Sequence, residues 1–150
     1  MDIKMTDEER QVFLSETRVG IISIAQETRG PLTVPVWYDY KPGGEVRVWT
    51  STSSRKFRLL GKVTRISFCV QEPTPSYYKY VSIEGPFTLQ QVDPERDIHG
   101  MALRYYGKNY GEQYFTDVLR TEEWKNTCMI CIHPERWYTA DFSKDQPENR

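Results

Sequence analysis

Leu32, Val34, Val36, Tyr38 and Tyr40 fall on every second position, with Thr33, Pro35, Trp37 and Asp39 between them. A period of two predicts a strand over 32–40 with one apolar face. Pro35 cannot donate to a ladder, so the strand has an edge, a bulge or an opening there. After Pro42-Gly43-Gly44, residues 45–51 return as a second strand, and the pair predicts a hairpin. Residues 65–71 repeat the pattern with Ile66, Phe68 and Val70 inward. Residues 77–92 form a longer strand with Val81, Ile83, Phe87 and Leu89 on one face, interrupted by a bulge or bend at Gly85-Pro86. Apolar runs at 19–26 and 127–133 predict two further strands, and 137–142 continues or pairs with the last.

Three stretches read as helical. Thr6 followed by Glu9 fits a capping box, with acids at 7–9 in the first turn and an end near Thr17. A short basic helix covers about 55–63. Asp93 caps a third stretch whose first helical residue is Pro94. Gly107 to Gly111 break it in two, and the second half carries Tyr114, Phe115, Val118 and Leu119 on one side. Mostly antiparallel strands with few helices predict an α+β barrel rather than a doubly wound sheet. No Gly-rich dinucleotide fingerprint is present.

At 150 residues the chain suits one domain with a real core, ending in a polar, frayed tail over about 143–150. A net charge of −1, with acids and bases interspersed, argues against a general nucleic-acid binder. No apolar run approaches membrane-spanning length. Three cysteines, an odd number, together with no signal segment, favour a reducing, cytoplasmic compartment.

The stretch richest in chemistry is 48–60. A strand runs into five hydroxyl residues, Thr50-Ser51-Thr52-Ser53-Ser54, and then into Arg55 and Lys56 in the first turn of the basic helix. Cations are disfavoured at that end of a helix, by a few tenths to about 1 kcal/mol each, unless an anion binds there. Free N–H groups, hydroxyls and two cations together make a phosphate cradle. A capped surface helix with Arg and Lys in solvent fits the same residues.

The run from Thr50 to Leu60 resembles the phosphate-binding segment of the pyridoxamine 5′-phosphate oxidase-like family. So do Pro35-Val-Trp-Tyr, Arg65-Ile-Ser-Phe-Cys-Val and Tyr80-Val-Ser-Ile-Glu-Gly-Pro, in the same order over about residues 10–142. The resemblance implies a split β-barrel and a homodimer with the cofactor at the subunit interface. It implies FMN or the deazaflavin coenzyme F420, with haem in some members. Thr50, Ser51, Ser54, Arg55 and Lys56 match positions that hold the phosphate. Val34, Pro35, Val36 and Trp37 match the strand that lines the ring. The chain lacks the C-terminal Arg-x-His-type substrate segment of the oxidase itself, having Arg136-Trp137-Tyr138 instead, and looks more like the flavin/deazaflavin oxidoreductase branch.

The implied activity is hydride transfer between that cofactor and a small organic substrate, with the chemistry carried by the cofactor. A non-enzymatic protein that holds flavin, F420 or haem shares the same cradle. Arg58, Lys62 and Arg65 would serve the longer anionic tail of the deazaflavin, or are solvated charge. Cys128 and Cys131 sit three apart in a strand and so face opposite ways, which fits buried thiols and no metal. Nothing builds a nucleophile–base pair around His99 or His133. Trp37 and Trp49 lie outward by alternation, which fits packing against a partner subunit or a helix as well as a wall for a planar ring; the resemblance favours the ring wall for Trp37, and packing is the reading for Trp49. Tyr77, Tyr78, Lys79 and Tyr80 fit a cover for the ring, a contact with another subunit, or a purely structural use equally well. Ten Tyr, four Trp and the two outward Trp residues predict a homodimer.

Overall fold

The computed structural model describes residues 2–147. Helix α1 (Asp7–Ser15) begins at the expected capping box: Thr6 Oγ1 accepts from Glu9 N, and the Glu9 carboxylate accepts from Thr6 N. Seven strands follow: β1 (Gly20–Ile24), β2 (Leu32–Val36), β3 (Val46–Ser51), β4 (Arg65–Glu72), β5 (Lys79–Gln91), β6 (Thr127–Ile132) and β7 (Arg136–Asp141). Helix α2 (Arg55–Leu60) separates β3 from β4, and α3 (Gly100–Thr121) precedes β6.

The sheet runs β2-β1-β4-β5-β6-β3, with every pair antiparallel. Pro35 therefore sits on an outermost strand, where its missing N–H costs no ladder bond. The expected hairpin between 32–40 and 45–51 does not form. β2 pairs with β1 and β3 with β6; only Asp39 and Arg47 bridge, exchanging two backbone bonds of 2.9 Å. Local turn chemistry lost to the apolar partners that β1 and β6 offer, and the bridge instead brings the two ends of the curled sheet together.

β5 is the spine. Its first half pairs with β4 and β7, and its second half with β6. The handover occurs at Gly85, where a Cβ would stand 1.8 Å from the His133 carbonyl oxygen. Pairing with β4 continues through Pro86, so this is a bend without a bulge. Beyond it Leu89 keeps the parity of Phe87 but is 45% exposed. β7 neither continues nor pairs with β6; it turns back at 133–135 onto β5.

Inside the curl lies the main core, with Ile22, Ile24, Tyr38, Val48, Phe68, Val81, Ile83 and Ile130. Each such side chain contributes about 1.5–3 kcal/mol by leaving water. A second cluster, Val92, Ile98, Ala102, Phe115, Met129 and Cys131, joins α3 to the outer face of β6. β6 is thus buried on both faces. A π-helical turn, Pro94–His99, capped by Asp93, leads into α3. The break in α3 is at Gly107 alone (φ 77°), while Gly111 lies inside the second half, where a Cβ would stand 2.8 Å from the Ala102 carbonyl oxygen.

Residues 142–145 form a 3-10 turn instead of fraying. Lys144 Nζ donates to Glu9 Oε2 at 2.6 Å and to the Lys4 carbonyl at 2.8 Å. The remainder of the expected tail, 148–150, lies outside the described residues. Among the described residues no helix is long and apolar enough to cross a membrane.

Candidate functional site

The hydroxyl run shapes a turn. Ser54 caps α2, its Oγ accepting from Phe57 N at 3.1 Å, and Thr50 Oγ1 lies 3.1 Å from the same Oγ. Ser51 Oγ accepts from Ser53 N and lies 2.9 Å from Ser53 Oγ. Thr52 donates from both N and Oγ1 to the Asn126 carbonyl, each at 2.9 Å. These bonds hold Arg55 and Lys56 in a first helical turn that contains no acid.

Arg55 reaches away from its own helix. A hollow of about 570 Å³ opens between α2 and the turn after β1, lined by Gln26, Glu27, Arg29, Arg55 and Lys62. Three of those five are cations and one is an acid. Among the described residues none of Arg29, Arg55, Lys56, Arg58 or Lys62 has an ion-pair partner. Arg65, counted with the tail cations, is committed elsewhere: it binds Glu84 at 2.7 Å and Glu135 at 3.1 Å. A concentration of uncompensated cations around a hollow fits a phosphorylated cofactor, which brings the missing negative charge.

The strand matched to the ring divides between two faces. Val34 and Val36 pack against the main core, whereas Pro35 points outward. Pro35 lines a second hollow of about 550 Å³ on the outer face of β1, β4, β5 and β7, with Ile21, Cys69, Tyr78, Tyr80 and Tyr138. Burial, with help from the neighbouring Tyr138, raises the Tyr80 phenol, so it stays protonated at neutral pH. Burial likewise raises the Cys69 thiol. Arg55 and Pro35, one from each set of site residues, line different hollows.

Trp37 is stacked by Tyr105 of α3, with centroids 4.5 Å apart and planes 4° off parallel, and Tyr106 meets its edge at 5.0 Å. One face of the indole is therefore closed by the chain's own helix. Tyr105 is held in place, since its Oη accepts from Tyr38 N at 2.9 Å and donates to the Arg18 carbonyl at 2.7 Å. Trp49 packs on the second cluster, as expected. The chain itself thus packs against both indoles, Trp37 on α3 and Trp49 on the second cluster, which weakens them as an argument for a second subunit.

Cys128 and Cys131 face opposite sides of β6, and burial pushes the Cys131 thiol up to about 11. His99 has Nδ1 2.9 Å from Glu95 and Nε2 2.9 Å from Glu112, and lies over Phe115. Glu112 and Glu95 raise its pKa by bonding the protonated ring. Sequence reasoning missed Gln26, Arg29 and Tyr105. Gln26 meets Arg55, Arg29 lines the same hollow and Tyr105 stacks on Trp37 through the barrel's curl, and no spacing along the chain signals that.

No protein-family model matches the chain, and no curated protein matches it. Solved structures do. A conserved hypothetical protein from Mycobacterium tuberculosis is 22% identical with a TM-score of 0.76, over 97% of this chain and 91% of that one. An F420 reductase is 14% identical with a TM-score of 0.67, over 85% and 94%. A protein from Listeria innocua described as a pyridoxamine 5′-phosphate oxidase is 12% identical with a TM-score of 0.66, over 89% and 96%. At these identities the likeness concerns the fold, and with the curled antiparallel sheet and its peripheral helices it gives the chain the split-barrel architecture of the pyridoxamine 5′-phosphate oxidase-like proteins.

Proposed function

We propose that the protein binds a phosphorylated flavin or deazaflavin, FMN or F420, and works as an oxidoreductase on a small organic substrate. The observation that carries this reading is the set of unpaired cations around the α2 hollow. One structural neighbour being an F420 reductase supports it. Arg55 and Lys56, with Arg29 and Lys62 at the rim, hold the phosphate. The turn built by Thr50, Ser51 and Ser54 keeps α2 in place. The strand bearing Pro35 and Trp37 is the one that the resemblance assigns to the ring, and Val34 and Val36 fix that strand through the core. When bound, the cofactor supplies the hydride chemistry. Tyr80, protonated at neutral pH, can donate from Oη but cannot act as a base.

A homodimer completes this reading. Val19 and Tyr138 line the outer hollow at 50% and 71% exposure, and Phe142, 42% exposed, stacks on its Tyr78, a concentration of apolar surface that a second copy would cover. The test is mass spectrometry of small molecules released from the purified protein, followed by anaerobic titration of FMN and F420 and a substrate panel with the reduced cofactor. A flavin or deazaflavin that binds and is turned over supports the reading. Binding without turnover leaves a cofactor carrier. Failure of both to bind ends it.

A further inference from the structure

Gln26 stands half-buried where β1 gives way to the following turn. Its Nε2 donates to the Gly30 carbonyl at 2.8 Å, and its Oε1 accepts from Arg55 Nη2 at 2.5 Å. The reverse orientation would set amide hydrogens against the guanidinium and oxygen against oxygen, so the network fixes which way the amide points. Gly30 thus holds the amide, and the amide holds Arg55.

Arg18, Arg47 and Arg65 each meet a carboxylate: Glu72, Asp97 and Glu84. Arg55 instead meets a neutral amide. A carboxylate there would order the guanidinium and cancel its charge; an amide orders it and leaves the charge intact. One N–H group is spent on Gln26, and among the described residues Arg55 makes no other hydrogen bond, so its remaining donors are free.

We infer that Gln26 is a positioning residue for anion binding, aiming the Arg55 guanidinium into the α2 hollow toward the phosphate of the cofactor. This rests on the function proposed above. The gain is pre-organisation: a long side chain ordered before binding loses less freedom when the phosphate arrives.

The test titrates the wild type, Gln26→Ala, Gln26→Glu, Arg55→Ala and the Gln26→Ala/Arg55→Ala double variant. Probes are FMN and F420, followed by their own fluorescence, with riboflavin and the deazaflavin lacking phosphate and tail as controls. Thermal melting shows that each variant is folded. Gln26→Ala should weaken the phosphorylated probe about tenfold and leave its control unchanged, because a mispositioned charge matters only to the anion. Gln26→Glu should weaken it more, since it keeps the bond and neutralises the cation. The double variant should be no weaker than Arg55→Ala alone, the signature of two residues acting as one. Equal losses for probe and control, or losses that add in the double variant, would overturn the positioning role while leaving the cofactor reading intact. If the wild type binds no probe, both fall together.

Discussion

Arg47, on β3 and paired to the π-helical turn after β5, and Arg55, at the start of α2, are both fixed by residues distant in sequence, yet they serve opposite ends. Arg47 is largely buried and gives Nη2 to the Asp97 carboxylate at 2.9 Å and Nη1 to Gln90 and Cys131 at 3.1 and 3.2 Å. Asp97, 1% exposed at its side chain, also takes two bonds from Arg96 and one from Asp93 N. Arg55 is exposed and, among the described residues, meets only an amide. Taking a charge out of water is tolerable only with a partner, so the Asp97 corner is closed and structural. At the α2 corner solvent carries the cost, and the charge stays available to a ligand. An unpaired cation beside a hollow is thus a better pointer to function than a buried ion pair.

Unpairing the closed corner should have the largest effect. Asp97→Asn leaves Arg47 buried without its counter-charge and should cost about 3–5 kcal/mol in chemical denaturation. The protein that remains folded should bind cofactor normally; lost affinity would mean the corners are coupled. The pH dependence agrees in sign. Burial pushes the Asp97 carboxyl up, but bonds from Arg96, Asp93 N and Arg47 outweigh it and hold the pKa below the ordinary range. A group depressed on folding stabilises fully above its unfolded pKa, so this contribution should fade below about pH 4 and vanish beneath the folded pKa.

Emptying the open corner comes next. Arg55→Ala/Lys56→Ala should weaken FMN or F420 by at least ~100-fold, with charge-assisted bonds worth about 1.5–3 kcal/mol each. The melting temperature without cofactor should hold steady or rise slightly, because two cations leave the positive end of α2. A fall in stability at unchanged affinity would turn Arg55 into a second Arg47.

Cys131→Ser probes the closed corner more gently. A buried hydroxyl is costlier than a thiol, but Arg47 Nη1 can still donate to it, so the loss should stay near the lower end, about 1 kcal/mol. Cofactor titration should be unchanged. The smallest effect belongs to His99, which links Glu95 to Glu112 across the Gly107 kink. Its pKa is raised on folding, so its stabilisation is complete below the unfolded value of about 6.5 and is lost as pH rises through the folded one. The melting difference between wild type and His99→Gln should be measurable at pH 5.5 and shrink by pH 8.5.

Periodicity and caps were the legible part. Thr6 with Glu9, Asp93 with Pro94, and the alternation through Ile66, Phe68 and Val70 all appear where expected, because they are written within a few residues of each other. The failures share a cause. The 32–51 hairpin and the pairing of β7 were inferred from nearness in sequence, and pairing in a curled sheet is settled by distant apolar faces. The candidate cradle was legible in its hydroxyls and two cations. The hollow beside it needed Gln26 and Arg29 from another turn.

By itself the sequence determined which residues alternate, where helices start, and that a basic turn follows a strand of hydroxyls. Those are local facts, fixed by backbone sterics and side-chain period. Only the tertiary structure decided that Arg47 meets a carboxylate while Arg55 meets an amide, that Trp37 is stacked by Tyr105, and that Pro35 and Arg55 line different hollows. Charge pairing and stacking depend on which side chains the curl of β5 brings within a few ångströms, and that distance is a property of the closed sheet.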